Sequence, residues 1–158
     1  MLEKVPIKKT GNPDEGYDDI DELFLDTLQH CDDVENVMKH IASHIEDIGE
    51  YHDYTKIENF EDYANDTLER QITPNFKERK WYNIHTTNER HHINSNIHDD
   101  VNLFDLLEFI CDCITAGKAR TGKVNKSFLK IDEEILNKCY WNTIKLIDES
   151  VYVIDSNK

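Results

Sequence analysis

Apolar residues recur along most of the chain at the three- and four-residue spacing of helices. Val34, Val37, Ile41, Ile45 and Ile48 follow one another at 3, 4, 4 and 3. That stripe predicts an amphipathic helix. An earlier run, with Ile20, Leu23, Phe24 and Leu28 on one face, predicts a helix from Asp18 or Asp19. Extending the stripe backward reaches His30, and extending it forward reaches His52, so both fall on its inward phase. Residues 56–70 predict another helix, with Ile57, Phe60, Tyr63, Ala64 and Leu68 inward. "QITPN" (71–75) is a break. A helix from about Phe76 carries Trp81, Ile84, His85, Asn88 and His92 on one side. "HHINSNIHDD" (91–100) is a polar loop, and Asn102–Ala116 is a strongly apolar helix. Residues 117–127 form a loop rich in Gly, Lys and Arg. A last helix runs from near Asp132 to about Asp148. Residues 1–17 are an arm, 18–150 a single domain, and 151–158 a tail, either a short strand or frayed.

Three prolines and five glycines in 158 residues leave these patterns largely unbroken. The expected class is therefore all-α, a helical bundle of about five to seven helices. A chain this long can bury a core without disulfides or a structural metal. The net charge of −15 argues against general nucleic-acid binding and against an anionic membrane surface. It leaves room for a small anionic substrate held by metal ions, which reverse the local sign. No apolar run approaches the length of a membrane span, and the N-terminus lacks the apolar stretch of a secretory signal. Cys31, Cys111, Cys113 and Cys139 have no CxxC spacing. They read as small buried hydrophobes in a reducing compartment, and the expected location is cytoplasmic. The sequence is silent on oligomeric state and leaves a homodimer open.

The eight histidines cluster, and they meet carboxylates. His40 and His44 stand one turn apart and read as a wet helix face. His52 and Asp53 are adjacent, and an imidazole beside a carboxylate can bind one ion while the carboxylate bridges to a second. An HD pair alone says little; it needs a distant His before it and a distant Asp after it. His30 lies 22 residues earlier and Asp112 lies 59 residues later. Asp105, Glu108 and Asp112, spaced 3 and 4, form a narrow acidic strip on the apolar helix. On a helix buried elsewhere, such a strip is either the one wet edge or the wall of a polar site.

The order His30, His52-Asp53, Asp112 resembles the H…HD…D pattern of HD-domain metal-dependent phosphohydrolases. The match is closer to an HD-like bacterial and phage family. That pattern has a leading His, an HD-x-S-K segment, a His/Asn-rich segment ending in HH, and an apolar helix with D-L-L-E-x-x-x-D. Here they read His30, "HDYTK", "HTTNERHH" and "DLLEFICD", followed by "AGKARTGK". Thr55 replaces Ser, and "INSN" replaces the usual Pro-Glu after the double histidine. The resemblance covers roughly residues 28–125. It implies an HD-like bundle and a phosphohydrolase acting on a nucleotide or related small phosphorylated substrate. It implies a divalent ion (Mn, Mg, Fe, Ni or Zn) held by His30, His52, Asp53 and Asp112. His85, His91 and His92 would bind a second ion or phosphate. Asp53 and Lys56 would be catalytic, and Lys118, Arg120 and Lys123 would meet phosphates.

One geometric condition attaches to that reading. A straight helix over 31–50 puts His30 and His52 about 30 Å apart. They share an ion only if the chain turns back near Ala42–Ser43, or if His44 replaces His30. "GKARTGK" has the Gly and Lys spacing of a phosphate-binding P-loop, but Val124 stands where Ser or Thr must bind Mg²⁺, and a helix precedes it where a strand is needed. Two other function classes stay open: an acidic interaction protein binding a basic host surface, and an HD-like domain without catalysis.

Overall fold

The structure, a computed structural model, describes residues 2–11, 16–69, 75 and 78–155. Asp19 starts the first helix. Its Oδ1 accepts from the Asp21 backbone N–H at 2.9 Å, and its carbonyl accepts from Leu23 N at 3.2 Å. Asp21 and Glu22 in the first turn suit the positive end of the helix dipole. With no proline behind them, α1 runs unbroken over Ile20–Glu50. The runs expected before and after His30 are thus one helix.

Its inward phase differs from the expected one. Val34 and Ile45 are exposed, Val37, Ile41 and Ile48 half-buried, and the buried residue is Asp33. The N-terminal residues explain this. β1 (Val5–Lys8) pairs in parallel with β2 (Val151–Ile154), from Val5 opposite Val151 to Lys8 opposite Ile154. Asp33 Oδ2 accepts from the Lys8 N–H at 3.1 Å, and Gln29 donates to its Oδ1 at 2.9 Å. Asp26 accepts from Gly11 N at 2.6 Å and from the Tyr17 hydroxyl at 2.8 Å. Acids at 26 and 33 turn inward because they satisfy N–H and O–H groups of the arm. The mostly helical class holds, with this one short sheet added.

The chain folds as two compact units: Met1–Asp47 with Ile144–Lys158, and Ile48–Thr143. The second unit carries α2 (Tyr54–Glu58), α3 (Phe60–Glu69), α4 (Lys80–Asn88), α5 (Leu103–Thr121) and the first part of α6 (Glu133–Ser150). Asn59 splits the helix expected over 56–70. Ile57, Phe60 and Leu68 are exposed rather than inward, while Tyr63 and Ala64 are half-buried. Asp66 is buried in their stead and takes Arg79 Nη1 at 2.8 Å. Residues 71–74 of the expected break, and the expected helix start at Phe76, lie outside the described residues.

α5 is the centre of the second unit. Ile93, Val101, Leu106, Phe109 and Cys139 form its core, with Leu103, Ile110, Cys113, Leu129, Ile131 and Ile135 packed around them. Asn102 begins α5 with a capping box: its side chain accepts from Phe104 N and Asp105 N, while Asp105 Oδ2 accepts from Asn102 N at 2.9 Å. The helix runs on to Thr121, past the expected end at Ala116. It stops at Gly122, whose φ of 71° favours glycine. All four cysteines are free thiols; Cys139 is buried and Cys113 half-buried, but Cys31 and Cys111 are exposed, contrary to expectation. No helix among the described residues is long and apolar enough to cross a membrane.

Candidate metal centre

Asp53 is the one described non-glycine residue with positive φ, at 57°. Asp tolerates this left-handed conformation better than most side chains. The bend separates α1 from α2, and it is held by hydrogen bonds from Tyr54 N to Tyr51 O and from Lys56 N to Asp53 O. It aims His52 and Asp53 into the same space. The loop after α4 supplies the next imidazoles. Arg90 fastens that loop by donating from Nε and Nη2 to Asp105, both at 2.8 Å, and from Nη1 to Asp100 at 3.0 Å. His91 and His92 are thereby set against α5.

Four imidazoles converge here. Asp53 Oδ1 lies 3.3 Å from His85 Nε2 and 3.6 Å from His91 Nε2. His85 Nε2 and His92 Nε2 are 2.8 Å apart. On the other side, His52 Nε2 lies 3.5 Å from Asp53 Oδ2 and 3.7 Å from Asp112 Oδ1. The donor atoms of Asp53, His85, His91 and His92 all lie within 4.8 Å of one another. Tetrahedral ligands with bonds of 2.0–2.1 Å stand about 3.3 Å apart. The set therefore fits one ion.

Hydrogen bonding supports that fit. Asp53 Oδ1 and His91 Nε2 are buried and make no hydrogen bond, an arrangement that costs free energy unless something binds there. The opposite ring nitrogens are held from outside. Glu108 Oε1 accepts from His52 Nδ1 at 2.8 Å. The same oxygen lies 2.9 Å from His91 Nδ1, an ion-pair contact without hydrogen-bond angles. Thr55 Oγ1 donates to Glu89, so it accepts from His85 Nδ1 at 2.8 Å. Its own N–H also goes to Glu89, at 3.1 Å. This fixes the Nδ1–H tautomer of His85 and turns the lone pair of Nε2 inward, as metal-binding histidines require. Trp81 closes the wall by stacking on His85, with centroids 4.8 Å apart and planes 12° from parallel.

His52, His91 and Glu108 also lie within 4.8 Å of one another. Glu108 faces the Nδ1 edges, however, and so orients the two rings from behind. The acidic strip is a wall: Asp105 holds the loop, Glu108 holds two histidines, and Asp112 faces His52.

The charges follow from these contacts. Hydrogen bonds to Asp112 and Glu108 outweigh burial and raise His52 from its ordinary 6.5 to about 10. Burial, then His91 and His85, push His92 down to about 4. Burial works to raise Asp53, but the imidazoles beside it and the Lys56 ammonium prevail and hold it well below the usual carboxylate range.

The structure thus gathers His52, Asp53, Lys56, His85, His91, His92 and Asp112. His30 is not among them, because the turn at Ala42–Ser43 is absent. At 1.5 Å of rise per residue, an unbroken helix cannot fold His30 back on its own C-terminal end. His30 is also exposed. Lys118 and Arg120 sit exposed on the last turn of α5, and Lys123 is exposed just beyond it. Arg120 stands eight residues after Asp112, about 12 Å along the axis. Lys118 and Arg120 have the ordinary place of cations at a helix C-terminus. Thr55 and Glu89 were not expected in the site, and Glu108 only as part of the acidic strip, yet each lies inside one of the sequence motifs. The signal was a hydroxyl or carboxylate near each histidine.

No curated protein and no solved structure matches the chain. One family does match, over residues 19–149, and it covers most of the sequence. The protein belongs to the family of unknown function DUF5662.

Proposed function

We propose that this protein is an HD-like, metal-dependent phosphohydrolase acting on a nucleotide or related small phosphorylated substrate. The observation that carries the reading is the convergence of imidazole Nε2 atoms on Asp53, with the Nδ1 atoms of His52 and His85 hydrogen-bonded from outside. Asp53, His85, His91 and His92 would hold the ion. A nitrogen-rich set suits Zn, Fe or Ni better than Mg. When bound, such an ion lowers the pKa of a water and neutralises phosphoryl charge.

The chain's own residues supply the rest. Lys56 is a fixed cation beside Asp53 and would meet a phosphoryl oxygen. Asp112 and His52 form a hydrogen-bonding edge on the same side. The order of motifs supports phosphoryl chemistry over other uses of a histidine-rich centre. Phosphate roles for Lys118, Arg120 and Lys123 rest on that order alone.

The test is phosphate release from a panel of nucleoside mono-, di- and triphosphates, with Zn²⁺, Fe²⁺, Ni²⁺, Mn²⁺ or Mg²⁺ added. Activity is expected with at least one ion and only background release from D53N. Equal release by D53N, or none under any ion, overturns the reading. A second reading, binding of a basic partner through the acidic first helix, draws on the exposed Ile20, Phe24 and Met38 of α1. A partner retained by D53N but lost on charge reversal at Asp18, Asp19 and Asp21 would favour it.

A further inference from the structure

Asp53 divides the site into two unlike halves. Its Oδ1 faces nitrogens of His85 and His91 and makes no hydrogen bond. Its Oδ2 already has a cation: Lys56 Nζ, which donates to it directly. Lys56 is three residues on, in the short helix α2. The tether is short, and the lysine side chain is about two-thirds buried. On this half stand His52 and Asp112, the residues that would hold a second ion sharing Asp53. Among the described residues, no group gathers His52, Asp53 and Asp112 within one ion's reach. Asp112 meets His52 Nε2 at 3.7 Å, and the lysine meets the aspartate.

We propose that Lys56 takes the place of a second metal ion, so that the centre binds one ion per chain, on the Asp53 Oδ1 side. This rests on the metal-centre reading above and deepens it. An ammonium and a divalent ion cannot share one carboxylate oxygen without strong repulsion at a half-buried site. The lysine neutralises that oxygen without needing further ligands. It also leaves the His52–Asp112 edge open to substrate rather than closed by coordination. A one-ion centre of this kind has its positive charge split between a metal and a side chain that the chain itself positions.

The experiment is metal stoichiometry in the full-length, metal-stripped protein. Zn²⁺ would be titrated calorimetrically, and bound zinc counted by mass spectrometry after gel filtration. One ion per chain is expected for the wild type and two for Lys56→Met. Asp112→Asn, which disturbs only the other half, is expected to keep one. Two ions in the wild type overturn the proposal while leaving the metal centre intact. So does a single ion in folded K56M, or loss of the ion in D112N. No ion in the wild type overturns the centre itself, and the inference with it. The wild-type count stands alone if K56M does not fold.

Discussion

Glu108 holds His52 across 56 residues of sequence: its Oε1 accepts from His52 Nδ1 at 2.8 Å. The same oxygen stands 2.9 Å from His91 Nδ1. One carboxylate therefore sets the orientation of two rings, neither of which neighbours it in the chain. Glu108→Gln keeps the shape but loses the charge. Zinc affinity is expected to fall about 10–100-fold, read by calorimetric titration, with the helical circular dichroism unchanged. Unaltered affinity would show that Glu108 does not orient the ligands.

Thr55 is the second such device. Valine there matches its volume but can neither accept from His85 nor donate to Glu89. Thr55→Val is expected to weaken zinc binding by about 10-fold or more. Thr55→Ser restores the hydroxyl and should recover most of it. If serine and valine behave alike, the hydroxyl has no part in fixing the tautomer of His85.

Asp53 has a backbone role and a proposed ligand role, and two substitutions separate them. Asn accepts the left-handed conformation nearly as well as Asp. Ala lacks that tolerance, which costs about 1–2 kcal/mol. D53N is expected to fold, with some loss of stability from the missing charge beside Lys56, yet bind no zinc. D53A should be less stable than D53N by roughly 1 kcal/mol. Equal stability of the two would remove strain from the account of this bend.

The metal-free protein should lose stability as the solution becomes alkaline. His52 is raised from 6.5 to about 10, so folding favours its charged form. That contribution is complete below pH 6.5 and fades as pH rises through about 10. Thermal melts from pH 6 to 10.5 should show a fall in Tm that His52→Gln makes shallower. A His52→Gln slope equal to wild type would mean that other groups set the dependence.

Arg90 is expected to matter for folding as well as for the placing of His91 and His92. Asp105 is buried and carries two of its hydrogen bonds. Arg90→Ala leaves that carboxylate without its cation, at a cost of about 3 kcal/mol. Urea unfolding measures it.

The histidine and carboxylate motifs were readable because each is local: "HDYTK", "HTTNERHH" and "DLLEFICD" each lie within one short segment. What the residues do for one another was not readable. Glu108 sits on the acidic strip in plain view, yet only the fold brings His52 and His91 to it. His30 shows the opposite failure. Its order in the chain suggested a ligand, but an unbroken α1 removes it. The facing of α1 failed for a related reason. That helix has apolar residues on more than one side, and the buried Asp33 is explained only by the Lys8 N–H that it meets. Periodicity locates a helix; it does not say which polar group will find a partner.

The pairing of β1 with β2 sets the order in which the protein can finish folding. Val5 must wait for Val151, so nearly the whole chain forms the loop that this contact closes. Loop-closure entropy of that size is recovered only when everything between is in place. During synthesis the first strand leaves the ribosome long before its partner exists. Pairing of β1 therefore waits until residues 151–154 have been made.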